Sequence, residues 1–171
     1  MTGTILQPDC YGNQGCSISA APNSNSYGTG FNDNNGGVYV AEWTSGGINV
    51  WFFSRGNIPD DISGNPDPST WGLPVAKFAG QDCDWNSHFR DLQIVSVFLY
   101  IYIYIYAHCL VLICLEQVFD ITFCGDWAGG VWSSSSCASR ASSCQDFVAN
   151  QASAFTDTFW SINSLRVYQQ Q

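Results

Sequence analysis

Positive charge is what this chain has least of. Five Lys and Arg stand against 14 Asp and Glu, for a formal net charge of −9 and an isoelectric point near 4.1. Nucleic acids and anionic membranes bind through basic patches, so neither partner is supported. Charged residues of both signs reach only 11%, which suits a soluble protein acting on a neutral polymer. Histidine is nearly as scarce. His88 and His108 stand apart, without a Ser, Cys or Asp arrangement that would make a nucleophilic triad. No CxxC occurs, so a zinc centre has little to build on, and no metal or cofactor is expected. Met1 to Cys10 lacks the basic and apolar regions of a secretory leader, and the chain is expected to begin partway through something larger. Nor is there an internal repeat of about 20–50 residues.

Rings and cysteines are plentiful instead. Aromatics make up 15% of the 171 residues, with seven Trp. Such a content fits both sugar stacking and the core of a sandwich. Of eight Cys, Cys109 and Cys114 lie in one apolar stretch. Cys10, Cys16, Cys83, Cys124, Cys137 and Cys144 are spread through Gly- and Ser-rich loops, which reads as a disulfide framework in an oxidising compartment. Close spacing suggests Cys10–Cys16 and Cys137–Cys144, leaving Cys83–Cys124, although sequence alone does not fix the pairing.

The apolar stretch is the anomaly. No charge appears from Ile94 to Leu115, and Tyr100 to Tyr106 alternates Tyr and Ile. As a helix this run would cross a hydrocarbon core of roughly 30 Å. Without residues 95–117, however, Leu92, Ile94, Phe119, Ile121 and Phe123 fall on one face of a single strand, with Gln93, Val118, Asp120 and Thr122 on the other, apolar inward and mostly polar outward. A TATATA repeat encodes alternating Tyr and Ile. Val95-Ser96 can be written GTAAGT and Gln117 CAG, the two ends of an intron. The first reading is therefore an intron translated in frame at 95–117, interrupting one strand. A membrane span over 94–115 and an ordinary hairpin insertion are the alternatives; with Arg90 the one basic residue nearby, the positive-inside rule supports the span little.

Elsewhere short strands and frequent turns predict an all-β sandwich. Met1 to Asn35 reads as loop with one or two short strands. Gly37–Trp43 and Ile48–Phe53 form the clearest hairpin, joined by Ser45-Gly46-Gly47. Residues 57–74 hold four of the six prolines and read as a long ordered loop. Gly125 to Cys144 reads as loop, Cys144 to Asn150 as one helical turn, and Phe159 to Tyr168 as a terminal strand.

Several stretches together resemble the C-terminal half of fungal glycoside hydrolase family 16 enzymes, the laminarinase-like endo-1,3(4)-β-glucanases. They are NSYGTGFN at 25–32, GGVY at 36–39, EWTS at 42–45, WFFSRGNIP at 51–59, PDPSTWG at 66–72, FDITFCGDWAG at 119–129 and SINSL at 161–165. In that family the segment beginning at Phe119 follows directly on an Ile-Val step, which independently favours removing 95–117. The resemblance implies a concanavalin-like β-jelly-roll, two antiparallel sheets with glucan across the concave face. Here it is partial, residues 1–94 and 118–171, with N-terminal strands missing. It implies a β-glucan polysaccharide as partner, an extracellular or cell-wall location and a monomer.

The family's catalytic run, E-x-D-x-x-E, is absent. Retention requires two carboxyl groups about 5–5.5 Å apart, one nucleophile and one acid/base. This chain has only Glu42 and Glu116, neither in that pattern, so no catalytic residue is assigned and the chain alone is expected to be inactive. Unpaired edges would also make it aggregation-prone. Candidate substrate contacts are Trp127, Asp126, Trp43 and Glu42. Trp127 would stack on a sugar ring. Asp126 sits in a Gly-flanked turn, where a structural role is the ordinary one. Trp43 and Trp51 lie in the hairpin and read first as core. Glu42 would accept from a hydroxyl, or simply be solvated. Arg55 is expected to pair with Asp60 or Asp61, and Asp120 could line the cleft.

Overall fold

Thr4–Gln7 (β1) and Ser17–Ser19 (β2) pair antiparallel, with Ile5 opposite Ile18. The structure is a computed structural model that describes residues 1–8, 16–21, 24–79, 90–96, 114–119, 121 and 123–169, the segments 90–96 and 114–119 and Trp127 by their backbone. A short helix, Gly28–Asp33 (α1), follows within the run read as loop. It has no apolar period to announce it, and its one ring directed at the sheet is Phe31.

The expected hairpin is the centre of the first unit, Met1–Arg90. Gly37–Thr44 (β3) and Gly47–Ser54 (β4) run antiparallel in unbroken register from Gly37↔Ser54 to Thr44↔Gly47. The turn is Ser45-Gly46, with the Gly46 N–H bonded to Thr44 Oγ1 at 3.2 Å. Gly47 is required twice. Its φ is +129°, and a side chain there would strike the Phe78 carbonyl. That close approach lets Ala76–Phe78 (β5) add to β4, giving the sheet order β3-β4-β5. Trp51 and Ala76 are buried at its middle.

Residues 57–74 form the expected ordered loop, with short 3-10 turns at 60–63 and 68–70. A latch holds it. The Asp61 carboxylate accepts from the Asp67 N–H at 2.7 Å and from the Trp71 indole N–H at 2.9 and 3.0 Å. Trp71 then meets Trp51 and Phe53 edge-on at 5.6 and 5.7 Å, and Trp51 Nε1 donates to the Gly72 carbonyl at 3.2 Å. Arg55 does not pair with Asp60 or Asp61; its backbone N–H is bonded to the Gly36 carbonyl at 3.1 Å, which holds it beside the Asn35–Gly36 turn, and its Nε donates to the Asn35 carbonyl at 3.0 Å. The bond from the Asp67 N–H, then that from Trp71, holds the Asp61 pKa below its ordinary value. Its contribution is therefore complete above the ordinary carboxylate range and lost as pH falls through the lowered value. Asp61→Asn is expected to lower the melting temperature at pH 7, with the gap to the native chain closing as pH falls below the ordinary carboxylate range. Thermal melts across pH check this; a constant gap would dismiss the latch.

Arg90–Ser96 (β6) and Cys114–Phe119 (β7) form a two-stranded sheet with each other. The single strand expected without residues 95–117 is not what the chain forms with them in place. With 95–117 present the chain comes back beside itself, so each half takes the other as ladder partner. No helix among the described residues is long and apolar enough to cross a membrane; residues 97–113 lie outside them.

The second unit, Asp91–Gln171, differs most from expectation. The Gly/Ser run is helical over Gly125–Val131 (α2) and continues in 3-10 turns to Ser139. Cys144–Asn150 (α3) is the expected helix, started by Ser143, whose Oγ accepts from the Asp146 N–H at 3.1 Å. Cys124 is bonded to Cys144, and Cys137 is free and exposed. Both proposed pairings of these residues, Cys83–Cys124 and Cys137–Cys144, are thus corrected. α2 begins immediately after Cys124 and α3 begins at Cys144, so two helix starts meet there, while Cys137 faces solvent. Cys16 is disulfide-bonded; Cys10, its expected partner, and Cys83 lie outside the described residues. Rings of Trp132, Phe147, Phe155 and Phe123 pack around α3. Phe159–Tyr168 is not a strand. A strand exists only in a ladder, and none among the described residues runs beside it.

Candidate functional site

Alternation along β3 and β4 gives the three-stranded sheet two unlike faces. One carries Tyr39, Ala41 and Trp43 with Ile48, Val50 and Phe52. The other carries Val40 and Glu42 with Asn49, Trp51 and Phe53, and Lys77 joins it opposite Asn49. Glu42 and Trp43, paired as candidate sugar contacts, therefore point to opposite sides and cannot line one surface of the sheet.

On its own face Glu42 is organised. Asn49 Nδ2 donates to Glu42 Oε2 at 2.9 Å across the strand pair. That bond fixes the half-buried carboxylate and leaves its second oxygen to accept from a hydroxyl. Glu42, Asn49 and Lys77 thus form a polar row across all three strands, an acceptor, an amide and a cation. Asn49 and Lys77 were missed in the sequence. Asn49 was recoverable from it, because a Ser45-Gly46 turn in strict register puts residue 49 opposite 42. At the other end of this face Trp71 and Phe53 supply half-buried rings, while Trp51 is 4% exposed and has no surface to offer a ligand.

The opposite face is aromatic and open. Tyr39, Phe52 and Phe31 cluster with centroids 4.9–6.2 Å apart. Tyr39 is nonetheless 56% exposed and Trp43 39%. A groove of about 260 Å3 runs beside them, walled by Ile18, Tyr27, Tyr39, Val50 and Phe52, with the buried Ser26 on its lining. Partial burial raises the Tyr39 phenol above its ordinary pKa, so it stays a hydrogen-bond donor.

In the second unit Asp126 lies exposed in the first turn of α2, where a carboxylate suits the helix N-terminal partial charge. The Trp127 backbone continues that helix, and its side chain lies outside the described residues. Asp120, His88 and His108 also lie outside them.

The model for XgeA-like catalytic domains of glycoside hydrolase family 16 matches residues 1–98 and 115–168. The chain belongs to glycoside hydrolase family 16. Between the matched parts lie residues 99–114, inside the 95–117 segment set apart in the sequence. A Schizosaccharomyces pombe protein described as a probable glycosidase is 42% identical over 99% of this chain and 36% of its own length. An endo-1,3(4)-beta-glucanase of Arthroderma benhamiae is 37% identical over 99% of this chain and 34% of its own. The chain thus spans about a third of the length of these curated relatives. Among solved structures, a mutant laminarinase 16A that cyclizes laminariheptaose superposes with a TM-score of 0.59 at 35% identity, over 92% of this chain and 47% of that one. Laminarinase 16A of Phanerochaete chrysosporium, holding 6-O-glucosyl-laminaritriose in donor and acceptor sites, gives 0.58 at 34% over the same shares. These likenesses place the small sheets in the family 16 jelly-roll, as the resemblance implied.

Proposed function

We propose that this family 16 chain contributes β-glucan contacts but does not by itself hydrolyse β-1,3- or β-1,4-glucan. One observation carries the reading: the 171 residues hold two Glu. A retaining glycosidase sets two carboxyl groups about 5–5.5 Å apart across the scissile bond. Glu42 is held by Asn49 rather than by a second acid, and Glu116 belongs to β7 in the other unit. The acid/base and nucleophile of a working domain are therefore not both available here.

Glucan contact is supported by the polar row and by the sugar-bound relative. Glu42 and Asn49 present an acceptor and an amide fixed to each other, a suitable pair for adjacent sugar hydroxyls. Trp127 and Asp126 remain the candidates in the second unit. The disulfide Cys124–Cys144 supports an oxidising, extracellular setting. For residues 95–117 the intron reading stands, with the hairpin insertion favoured next by the pairing of β6 with β7.

The purified chain is expected to release no reducing sugar from laminarin, yet to be retarded in laminarin affinity gels. Glu42→Ala and Trp127→Ala should each weaken retardation about 5–10-fold, equivalent to roughly one or two lost hydrogen bonds or one ring stack. Sugar release by this polypeptide would overturn the inactivity. Equal mobility with and without laminarin would overturn the contact.

A further inference from the structure

We propose that the sheet face bearing Glu42 is a two-point track for a β-glucan chain, with Trp71 as its stacking ring and Lys77 as its second polar edge. It rests on the glucan reading above and adds two residues and a direction to it.

The direction comes from the sheet. Glu42, Asn49 and Lys77 lie opposite one another on β3, β4 and β5. With neighbouring strands about 4.8 Å apart, Glu42 and Lys77 flank Asn49 at a separation of about 10 Å, with room between them for one sugar ring. Asn49 spends its amide on Glu42 Oε2, which leaves the other carboxylate oxygen to accept from a hydroxyl. Lys77 is exposed, and among the described residues its ammonium has no hydrogen-bond or ion-pair partner. A ring lying over Asn49 therefore meets an acceptor at one edge and a donor at the other, which suits hydroxyls that both give and take a proton. One carboxylate and one ammonium leave the row neutral within a chain of −9, as an uncharged polymer requires.

The second point comes from the loop. Trp71 shares this face and meets Trp51 and Phe53 edge-on. These lie two and four residues along β4 from Asn49, about 7–14 Å at the rise of a strand. The Asp61 carboxylate takes the Trp71 indole N–H at 2.9 and 3.0 Å and so fixes the ring. Yet Trp71 is only half-buried, whereas its neighbour Trp51 is 4% exposed. No ring among the described residues lies parallel on it. A pinned, half-open indole without a parallel neighbour offers a face to a pyranose, and a chain running along β4 touches row and ring in turn.

The test titrates the full 171-residue chain with laminaribiose and with laminarihexaose in a calorimeter. The disaccharide reaches the row or the ring, and the hexasaccharide both, so the longer sugar is expected to bind at least about 10-fold tighter. Trp71→Leu should cost the hexasaccharide about 5–10-fold, the worth of one ring stack, and the disaccharide little, erasing the length advantage. Lys77→Gln should weaken both sugars about 3-fold with the melting temperature unchanged. Arg140→Gln, which removes the same charge at an exposed site in the second unit, should change neither. Where leucine unfolds the loop, Trp71→Phe keeps a smaller ring on the same neighbours and should lower hexasaccharide affinity about 3-fold. Equal binding of the two sugars, a length advantage that survives Trp71→Leu, or indifference to Lys77→Gln would each overturn the track and leave the Glu42 contact standing. No binding of either sugar, with no retardation by laminarin, would overturn the glucan reading and the track together.

Discussion

Replacing Trp51 with alanine is expected to remove about 3–5 kcal/mol from the Met1–Arg90 unit, the usual cost of deleting a large buried ring. Trp51 is the most completely buried side chain described in that unit, at 4% exposure. It touches the sheet through the Val40 pair, the loop through Trp71, and the backbone through its bond to the Gly72 carbonyl. A domain of this size has roughly 5–15 kcal/mol in hand, and a unit with one face open lies at the low end. The variant should therefore lose its near-ultraviolet circular dichroism at 25 °C. Trp51→Phe keeps a ring in place but removes the indole donor. Its cost should be about 1–2 kcal/mol, from one hydrogen bond and a smaller ring. Circular dichroism melts of both variants separate the two contributions. If Trp51→Ala still melts cooperatively within a few degrees of the native chain, the core lies elsewhere.

That centre was legible in the sequence because a hairpin is a local object. Two apolar runs, a Ser-Gly-Gly junction and period-2 alternation fix which residues face each other, and Trp51 was correctly read as core. Trp43 was not. It lies beside the turn of the same hairpin, paired with Ile48, on the uncovered face, where burial depends on what packs above rather than on the strand itself. The same distinction explains the candidate site. Glu42 was singled out from its type and position, and its partner Asn49 was implied by the register. The latch of Asp61 on Trp71 was invisible, since it joins residues ten apart through a loop with no period.

At the borders of the apolar stretch hydropathy and backbone pairing point different ways for a physical reason. Hydropathy counts side chains and is blind to backbone pairing, so a run of Tyr and Ile scores as a span. The same residues have high strand propensity, and the segments bordering the run, at 90–96 and 114–119, are strands paired with each other. β6 and β7 each give one edge to the other, an edge that an uninterrupted strand would not spend on its own second half. If 95–117 is absent from the mature product, that pairing is lost and residues 92–94 and 118–123 become one alternating strand.

Cysteine substitutions carry the second large effect, and they discriminate directly between the pairing suggested by spacing and the one observed. Cys124 and Cys144 are 20 residues apart; opening a loop of that length releases about 3 kcal/mol of constraint on the unfolded chain. Cys144→Ser also puts a hydroxyl into a site that is 6% exposed, so its loss should be at least that large. Cys137→Ser, at an exposed free thiol, should change stability by no more than about 0.5 kcal/mol. Had spacing decided the pairing, these two changes would cost the same. A further contrast comes from the backbone. Cys124 has φ of +67°, a conformation that costs a non-glycine residue about 1–3 kcal/mol and glycine little. Cys124→Gly should therefore be less damaging than Cys124→Ser, although both break the same bond. Denaturant melts of the four variants check the order Cys137→Ser, Cys124→Gly, Cys124→Ser from mildest to worse, with Cys144→Ser beside the last. Equal losses for Cys137→Ser and Cys144→Ser would restore the pairing that spacing suggested, and with it a loop in place of the helix that begins at Gly125.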